Sequence, residues 1–214
     1  MKKFYLNSYH PVGLKYQKKF QNAWGVAPFV DASHRAEPDF QQVRTTISSI
    51  CRAAVFAPKL RKGYKIAYMS VKEYGTPYLV ALLLVTEEFD SHREAAEWFK
   101  SKGFPLSQNC LVEENPPNFS NPFGCGVGID ATCGRNGCGS ETTCEDDEQN
   151  YQERTRNWGK FLVCENLFLD LIKPPKMTKE LANRLPNTIN GPDIPEGLFN
   201  ELHALTIRAP STVF

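Results

Sequence analysis

The chain has 214 residues, of which 41% are hydrophobic and 12% aromatic, and a net charge of +1. That length suits one domain of ordinary size with an appendage, and the composition is enough for a real core, which excludes a chain too polar to fold. No run is long enough to cross a membrane, and the opening MKKFYLNSYHPVG has two lysines but no apolar stretch behind them, so neither an export signal nor a membrane partner is expected and the expected location is cytoplasmic.

The near-neutral total hides a division. Residues 1–72 hold thirteen Lys/Arg against three acids, a net of +10, and the remainder holds twelve against twenty-one, a net of −9. Between Arg44 and Lys72 there are seven basic residues and no acid. Such a split points to a polyanion-facing side; the alternative is that the two halves pair with each other.

In chain order, Phe4 to Tyr9 reads as a first strand, stopped by Pro11 and Gly13, and Leu14 to Phe20 fits a short helix or a strand equally. Val26 to Val30 is a short apolar piece broken by Pro28, and residues 31–39 are loop by their turn chemistry. Pro38 suits the first helical position, and Phe40, Val43, Ile47 and Ile50 recur at i, i+3, i+7 and i+10, which predicts an amphipathic helix of about three turns. Lys65 to Val71 and Tyr78 to Val85, separated by the Gly75–Pro77 turn, read as consecutive antiparallel strands, and the second is apolar on both faces, hence central. Ser91-His92-Arg93-Glu94 is a capping box for a helix from Arg93 to Lys100 that Gly103 stops. Residues 115–150 are Pro-, Asn- and Gly-rich and then acidic, an insertion between a first domain at 1–114 and a closing segment at 151–214. In that segment Gly159 to Ile172 alternates like a strand, Thr178 caps a helix through Leu185, and Pro195-Glu196 opens a last helix carrying Leu198, Leu202 and Leu205.

The insertion holds Cys125, Cys133, Cys138 and Cys144 within twenty residues. Four thiolates in a segment too poor in apolar residues to build a core suggest a structural Zn²⁺, because ligation supplies the folding energy that packing does not. The spacings contain no CxxC, so unligated thiols and disulfides stay open beside zinc. Cys51, Cys110 and Cys164 sit in apolar surroundings and read as core.

For catalysis the chain lacks GxSxG, HExxH, a phosphate-cradling glycine loop and the zinc-deaminase signature. His34 with Asp39, and a cysteine such as Cys51, can be drawn as an acid–base or nucleophilic set, but no spacing demands it.

Arg61-Lys62-Gly63-Tyr64-Lys65-Ile66-Ala67-Tyr68 resembles the K-x-G-D-x-hydrophobic turn into a strand of PUA-like β-barrels, which include the ASCH, EVE and YTH domains, with Tyr64 where those carry Asp. Leu79 to Val85, followed by Glu87 and Glu88, resembles their next strand. Phe4-x-x-x-Ser8-Tyr9 with Trp24 is similar to the opening of YTH domains, where the tryptophan belongs to an aromatic cage for a methylated adenine. The layout of residues 1–100 also resembles nucleotide-modification-associated domains of phages and bacteria. The resemblance implies a PUA-like twisted β-barrel, and with the helices, the Cys-rich insertion and the C-terminal helices read above the expected fold is α+β: such a barrel with flanking helices, a Cys-rich loop insertion and a helical C-terminal extension. It further implies a pocket for one modified or flipped nucleobase of DNA or RNA beside a basic surface. Trp24 is then the stacking residue, and Asn7, Ser8, Ser33, His34 and Tyr68 are contacts to the base. Tyr68 and Met69 are neighbours on one strand, so only one of them is expected to face inward. Arg44, Lys59, Arg61, Lys62 and Lys65 are the phosphate contacts. An enzyme acting on the base through His34 and Asp39, and an adaptor using the acidic second half, are the alternative readings.

Overall fold

The computed structural model describes residues 3–16, 27–31, 37–40, 43–49, 55–116, 123–124, 127–128, 153–186 and 191–208. Its centre is a mixed five-stranded sheet curled into a half-barrel, in an α+β chain. Strand β1 (Phe4–Tyr9) is followed by helix α1 (Val12–Tyr16), strands β2 (Thr45–Ser48), β3 (Lys65–Ser70) and β4 (Leu79–Phe89), and helix α2 (His92–Lys102). The two-residue strands β5 (Phe123–Gly124) and β6 (Val127–Gly128) pair with each other, and β7 (Phe161–Leu169), α3 (Lys179–Arg184) and α4 (Glu196–Arg208) complete the chain. The strand order is β1-β3-β4-β7-β2, with β1 parallel to β3 and every other neighbour antiparallel.

Strand β4 is central, as its apolar run from Leu79 requires, and its pairing is irregular at three places, beside Tyr68/Met69, Leu82/Leu83 and Val85/Glu87. Each irregularity adds local twist, and three along one strand bend the sheet round. A curled sheet gathers the side chains of all its strands on its inner face. One cluster does draw on all five: Tyr5 and Tyr9 from β1, Ile66 and Tyr68 from β3, Ala81, Leu83 and Val85 from β4, Leu162 and Cys164 from β7, and Ile47 from β2. Phe29, Phe40, Phe56 and Leu60 from the connections close over it. The outer face carries two separate cores. Phe4, Leu6, Ala67, Met69, Leu79 and Leu82 meet α3 and α4, while Phe161 and Val163 meet Ala95, Ala96 and Phe99 of α2. As expected of neighbours on one strand, only Tyr68 faces the inner side, and because both faces are covered Met69 is buried as well, in the outer core.

The helix expected from Pro38 is not formed: Asp39 and Thr46 exchange backbone hydrogen bonds of 3.0 and 3.2 Å, and Thr45–Ser48 is a strand. The run Thr45-Thr46-Ile47 is branched at Cβ, which favours the extended chain. Phe40 and Ile47 enter the core, but Val43 is 79% exposed, so the helical spacing did not mark one buried stripe. Elsewhere the local signals carry through. Ser91 caps α2 by accepting from the Glu94 amide, Gly103 ends it at φ 69°, and Thr178 caps α3 by accepting from Leu181. His92 is more than a neighbour of that cap: it is buried, accepts from the Leu111 amide at 3.0 Å through Nδ1 and sits edge-on to Phe161, and burial pushes its pKa down to about 4. Both sheet edges are covered, β1 by Pro192 and Ile194 and β2 by Asp39, which blocks edge-to-edge pairing. Cys110 and Cys164 are buried, and burial pushes both thiols up, Cys110 to about 12, as suits inert core residues. Among the described residues no helix is long and apolar enough to cross a membrane.

Gly191 shows how tightly the inner core is closed. At φ 56° it lies under Phe56, and an added Cβ would stand 1.9 Å from the Phe56 ring. Gly191→Ala is expected to cost about 2–5 kcal/mol, combining left-handed strain with overpacking. Gly63→Ala, at φ 87° with open space around it, should cost only about 1–2 kcal/mol. Urea unfolding of the two variants tests this, and equal losses would contradict the packing of Phe56 on Gly191.

Candidate functional site

Strand β1 is buried at every position except Asn7, which is half-buried. Alternation along the strand sends Tyr5, Asn7 and Tyr9 to the inner face, and the parallel register sets Asn7 opposite Tyr68 of β3. The Asn7 side chain lies close enough to the Tyr68 phenol to pull its pKa down, and it accepts from the Ser8 amide at 3.0 Å. Burial holds the Tyr68 hydroxyl well above the ordinary tyrosine range, and Asn7 only partly offsets this. Around it the rings of Tyr9, Phe40 and Phe56 pack edge-on or tilted, with Phe40 and Tyr68 centroids 5.6 Å apart at 89°. The Tyr9 hydroxyl donates to the Phe29 carbonyl, and burial with the nearby Asp31 charge raises its pKa strongly.

Toward the start of β3 the inner face ends in a second aromatic group. Tyr64, half-buried, stacks on Tyr5 with centroids 5.8 Å apart and planes at 29°. Burial raises the Tyr5 pKa, while the charges of Lys3 and Arg61 pull it down, so cations stand beside this ring pair. The sequence therefore places a half-buried carboxamide, a buried phenol and an aromatic stack flanked by cations along one face of β1 and β3. Such a row can hydrogen-bond the edge of a planar heterocycle, stack on its face and attract its phosphate.

Two carboxyls enter the inner side from connections. Asp31 is buried beside Tyr9. The Glu37 carboxyl accepts from the Ser48 amide at 2.9 Å, from Asn109 Nδ2 at 2.9 Å and from the Ser48 hydroxyl. Burial raises its pKa to about 8 despite those three donors. Asp39 accepts from the Gln108 amide at 3.0 Å and so ties two connections together, while His34, the acid–base partner drawn for it, lies outside the described residues.

The remaining sequence candidates are scattered. Ser8 is buried on the face opposite Asn7, against Met69, so the two do not line one pocket. Lys59, Arg61 and Lys62 are exposed on the turn before β3. Arg61 Nη1 donates to the carbonyls of Pro58 and Leu60, and Lys62 pairs with Glu87 at 3.0 Å. Lys65 points to the outer face, its ammonium 5.8 Å from the Phe199 ring centroid and 6.0 Å from that of Phe4. Arg44 precedes β2, across β4 and β7 from the other cations. Trp24, Ser33, His34, Cys51 and the cysteines Cys125, Cys133, Cys138 and Cys144 lie outside the described residues, and among those that are described no group of three His, Cys, Asp or Glu can hold a metal. Tyr5, Tyr9 and Tyr64 were missed as site residues. The period of two starting from Asn7 points to Tyr5 and Tyr9, whereas nothing local marks Asp31 or Glu37.

Glu37 gives a test with a definite sign. Its folded pKa of about 8 lies above the ordinary 4.5, so between those values the folded chain holds a proton that the unfolded chain has released. Stability should therefore fall as pH rises through that window and level off above it. In Glu37→Gln that fall should vanish, while any slope from His92 stays in both proteins. Thermal unfolding profiles of the two that run parallel from pH 4.5 to 8 would show that Glu37 does not hold the proton.

Comparison with protein-family models, with curated proteins and with solved structures found no match for this chain.

Proposed function

We propose that this protein is a PUA-like nucleic-acid-binding module that recognises a modified, flipped nucleobase at the mouth of its half-barrel. The observation that carries the reading is Asn7: the one residue of β1 that is not buried, in register with Tyr68 of β3 and sharing the inner face with the Tyr5–Tyr64 stack beside Arg61. A carboxamide both donates and accepts, so it suits the mixed edge of a base, and a half-buried tyrosine offers a face for stacking. Asn7 and Tyr68 read the edge in this account. Tyr64 joins Trp24 as a stacking residue, and Lys59, Arg61 and Lys62 attract the flanking phosphates. Lys65 and Ser8 are left out because they serve the outer core. The Cys125, Cys133, Cys138 and Cys144 group remains a proposed structural zinc site, which metal analysis of the purified protein tests.

Chemistry on the base is less well supported. Glu37 has the protonation behaviour of a general acid, but Ser48 and Asn109 already engage both of its oxygens.

Binding of the full chain to short single strands, each carrying one methylated or hydroxymethylated base, tests the proposal. One modification should be preferred over the unmodified strand by about tenfold or more, and Asn7→Ala should remove that preference, consistent with about 1–3 kcal/mol for a base-edge contact. Tyr68→Phe, which keeps the ring, should weaken it. Equal affinity for every strand, or a preference untouched by both substitutions, would contradict the reading.

A further inference from the structure

A second aromatic surface lies outside the half-barrel, just before β7. Residues 153–157 form a helical turn, and Trp158 closes it by donating its amide to the Arg154 carbonyl at 2.8 Å. Arg154 and Trp158 are four residues apart on that turn, so their side chains leave the same side. The next residue fixes the position. A Cβ on Gly159 would lie 2.5 Å from the Asp90 carbonyl oxygen, so the backbone docks against the junction of β4 and α2 at a distance only glycine permits. Yet Trp158 is 44% exposed, and Arg156 beside it is exposed as well.

This segment adjoins the basic turn that precedes β3. Glu88 joins them: its Oε2 accepts from the Lys62 amide at 2.7 Å and its Oε1 from the Lys160 ammonium at 3.1 Å. Burial raises the Glu88 pKa, but those bonds and the surrounding cations outweigh it and hold the carboxyl below its ordinary range. Lys160 also lies 3.8 Å from Asp90, Lys62 pairs with Glu87, and Glu153 is exposed on the helical turn. With Glu94, whose Oε2 accepts from the Asp90 amide at 3.2 Å, five acids stand among six cations, Lys59, Arg61, Lys62, Arg154, Arg156 and Lys160, so among the described residues the strip keeps an excess of one positive charge with an indole at its end.

We propose that Trp158, with Arg154 on the same side of its turn, Arg156 on the turn's other side and the Lys59–Lys62 turn beyond Glu88, forms a stacking platform for single-stranded nucleic acid that leads toward the mouth beside Tyr64. The exposed indole offers a π-face to any unpaired base, and the cations follow the backbone, so the contact is sequence-tolerant. It rests on the nucleic-acid reading above but not on recognition of a modified base. A duplex hides the base faces that the indole would stack on, so the strip should prefer single strands.

The test uses the full chain with an unmodified twelve-residue oligothymidylate, and a duplex of equal length as competitor. Trp158→Ala should weaken single-strand binding about tenfold, Trp158→Phe should restore most of it, and binding should quench tryptophan fluorescence in the parent but not in Trp158→Phe. Arg154→Ala with Arg156→Ala should flatten the salt dependence by about 1–1.5 log units per log unit of salt. Loss of modified-base preference with the oligothymidylate results intact would remove the pocket reading and leave the strip. Unchanged binding in both Trp158 variants, equal affinity for duplex, or self-association that disappears in Trp158→Ala without any strand binding would each overturn the strip.

Discussion

A strand that is apolar on both sides has to be covered on both sides, and β4 imposes that condition on the rest of the chain. From Leu79 to Val85 all but one residue is buried, and each large aliphatic side chain so placed contributes about 1.5–3 kcal/mol. The outer face is met by α2, α3 and α4, which bring separate patches of Phe, Leu, Ala and Met. Among the described residues the inner face meets only the five-residue helix α1, through Leu14. Connections do that work instead, through Phe29, Phe40, Phe56 and Leu60, and with them come polar groups that a helix face would have left outside.

That difference between the faces is where function becomes possible. A buried phenol or carboxyl is tolerated only with a partner, and the inner face supplies them pairwise: Asn7 with Tyr68, the Phe29 carbonyl with Tyr9, and Ser48 and Asn109 with Glu37. Most of these pairs are sealed. Asn7 is where the polar part of the inner face approaches solvent along β1, and the Tyr5–Tyr64 pair with Arg61 stands on the same side. The strip from Lys62 through Glu88 to Lys160 and Trp158 continues outward from there.

What the sequence reveals and what it hides divides by range. The strand at Phe4–Tyr9, the β3–β4 pair, the Ser91 and Thr178 caps and the last helix rest on signals within a few residues, and all are present in the structure. The stretch after Pro38 misled because Phe40, Val43 and Ile47 fit a helical period while Thr45-Thr46-Ile47 favours a strand; Asp39 pairing with Thr46 decides between them. The parallel pairing of β1 with β3 joins residues sixty apart, and no local pattern announces it. For the site, Asn7 and Tyr68 could be named from residue type, but their pairing could not. Ser8 could have been set apart from Asn7, since adjacent residues of a strand face opposite ways. The basic run from Arg44 to Lys72 is continuous along the chain but not in space, because Arg44 and Lys65 leave for a distant edge and the opposite face. Part of the charge division between the halves is resolved by pairing, as Lys62 with Glu87 shows.

The central claim is that the inner face of β1 and β3 receives the base. Side-chain NMR of a chain with labelled tyrosines reads this directly, because the chain's eight tyrosines include Tyr5, Tyr64 and Tyr68 at the inner core and Tyr74, which lies beyond the far end of β3 beside His10. Titration with the preferred modified strand should shift Tyr64 and Tyr68 strongly, leave Tyr74 in place, and produce a smaller change at Tyr68 with the unmodified strand. Saturating binding that leaves Tyr5, Tyr64 and Tyr68 as they are in the free protein would contradict the account.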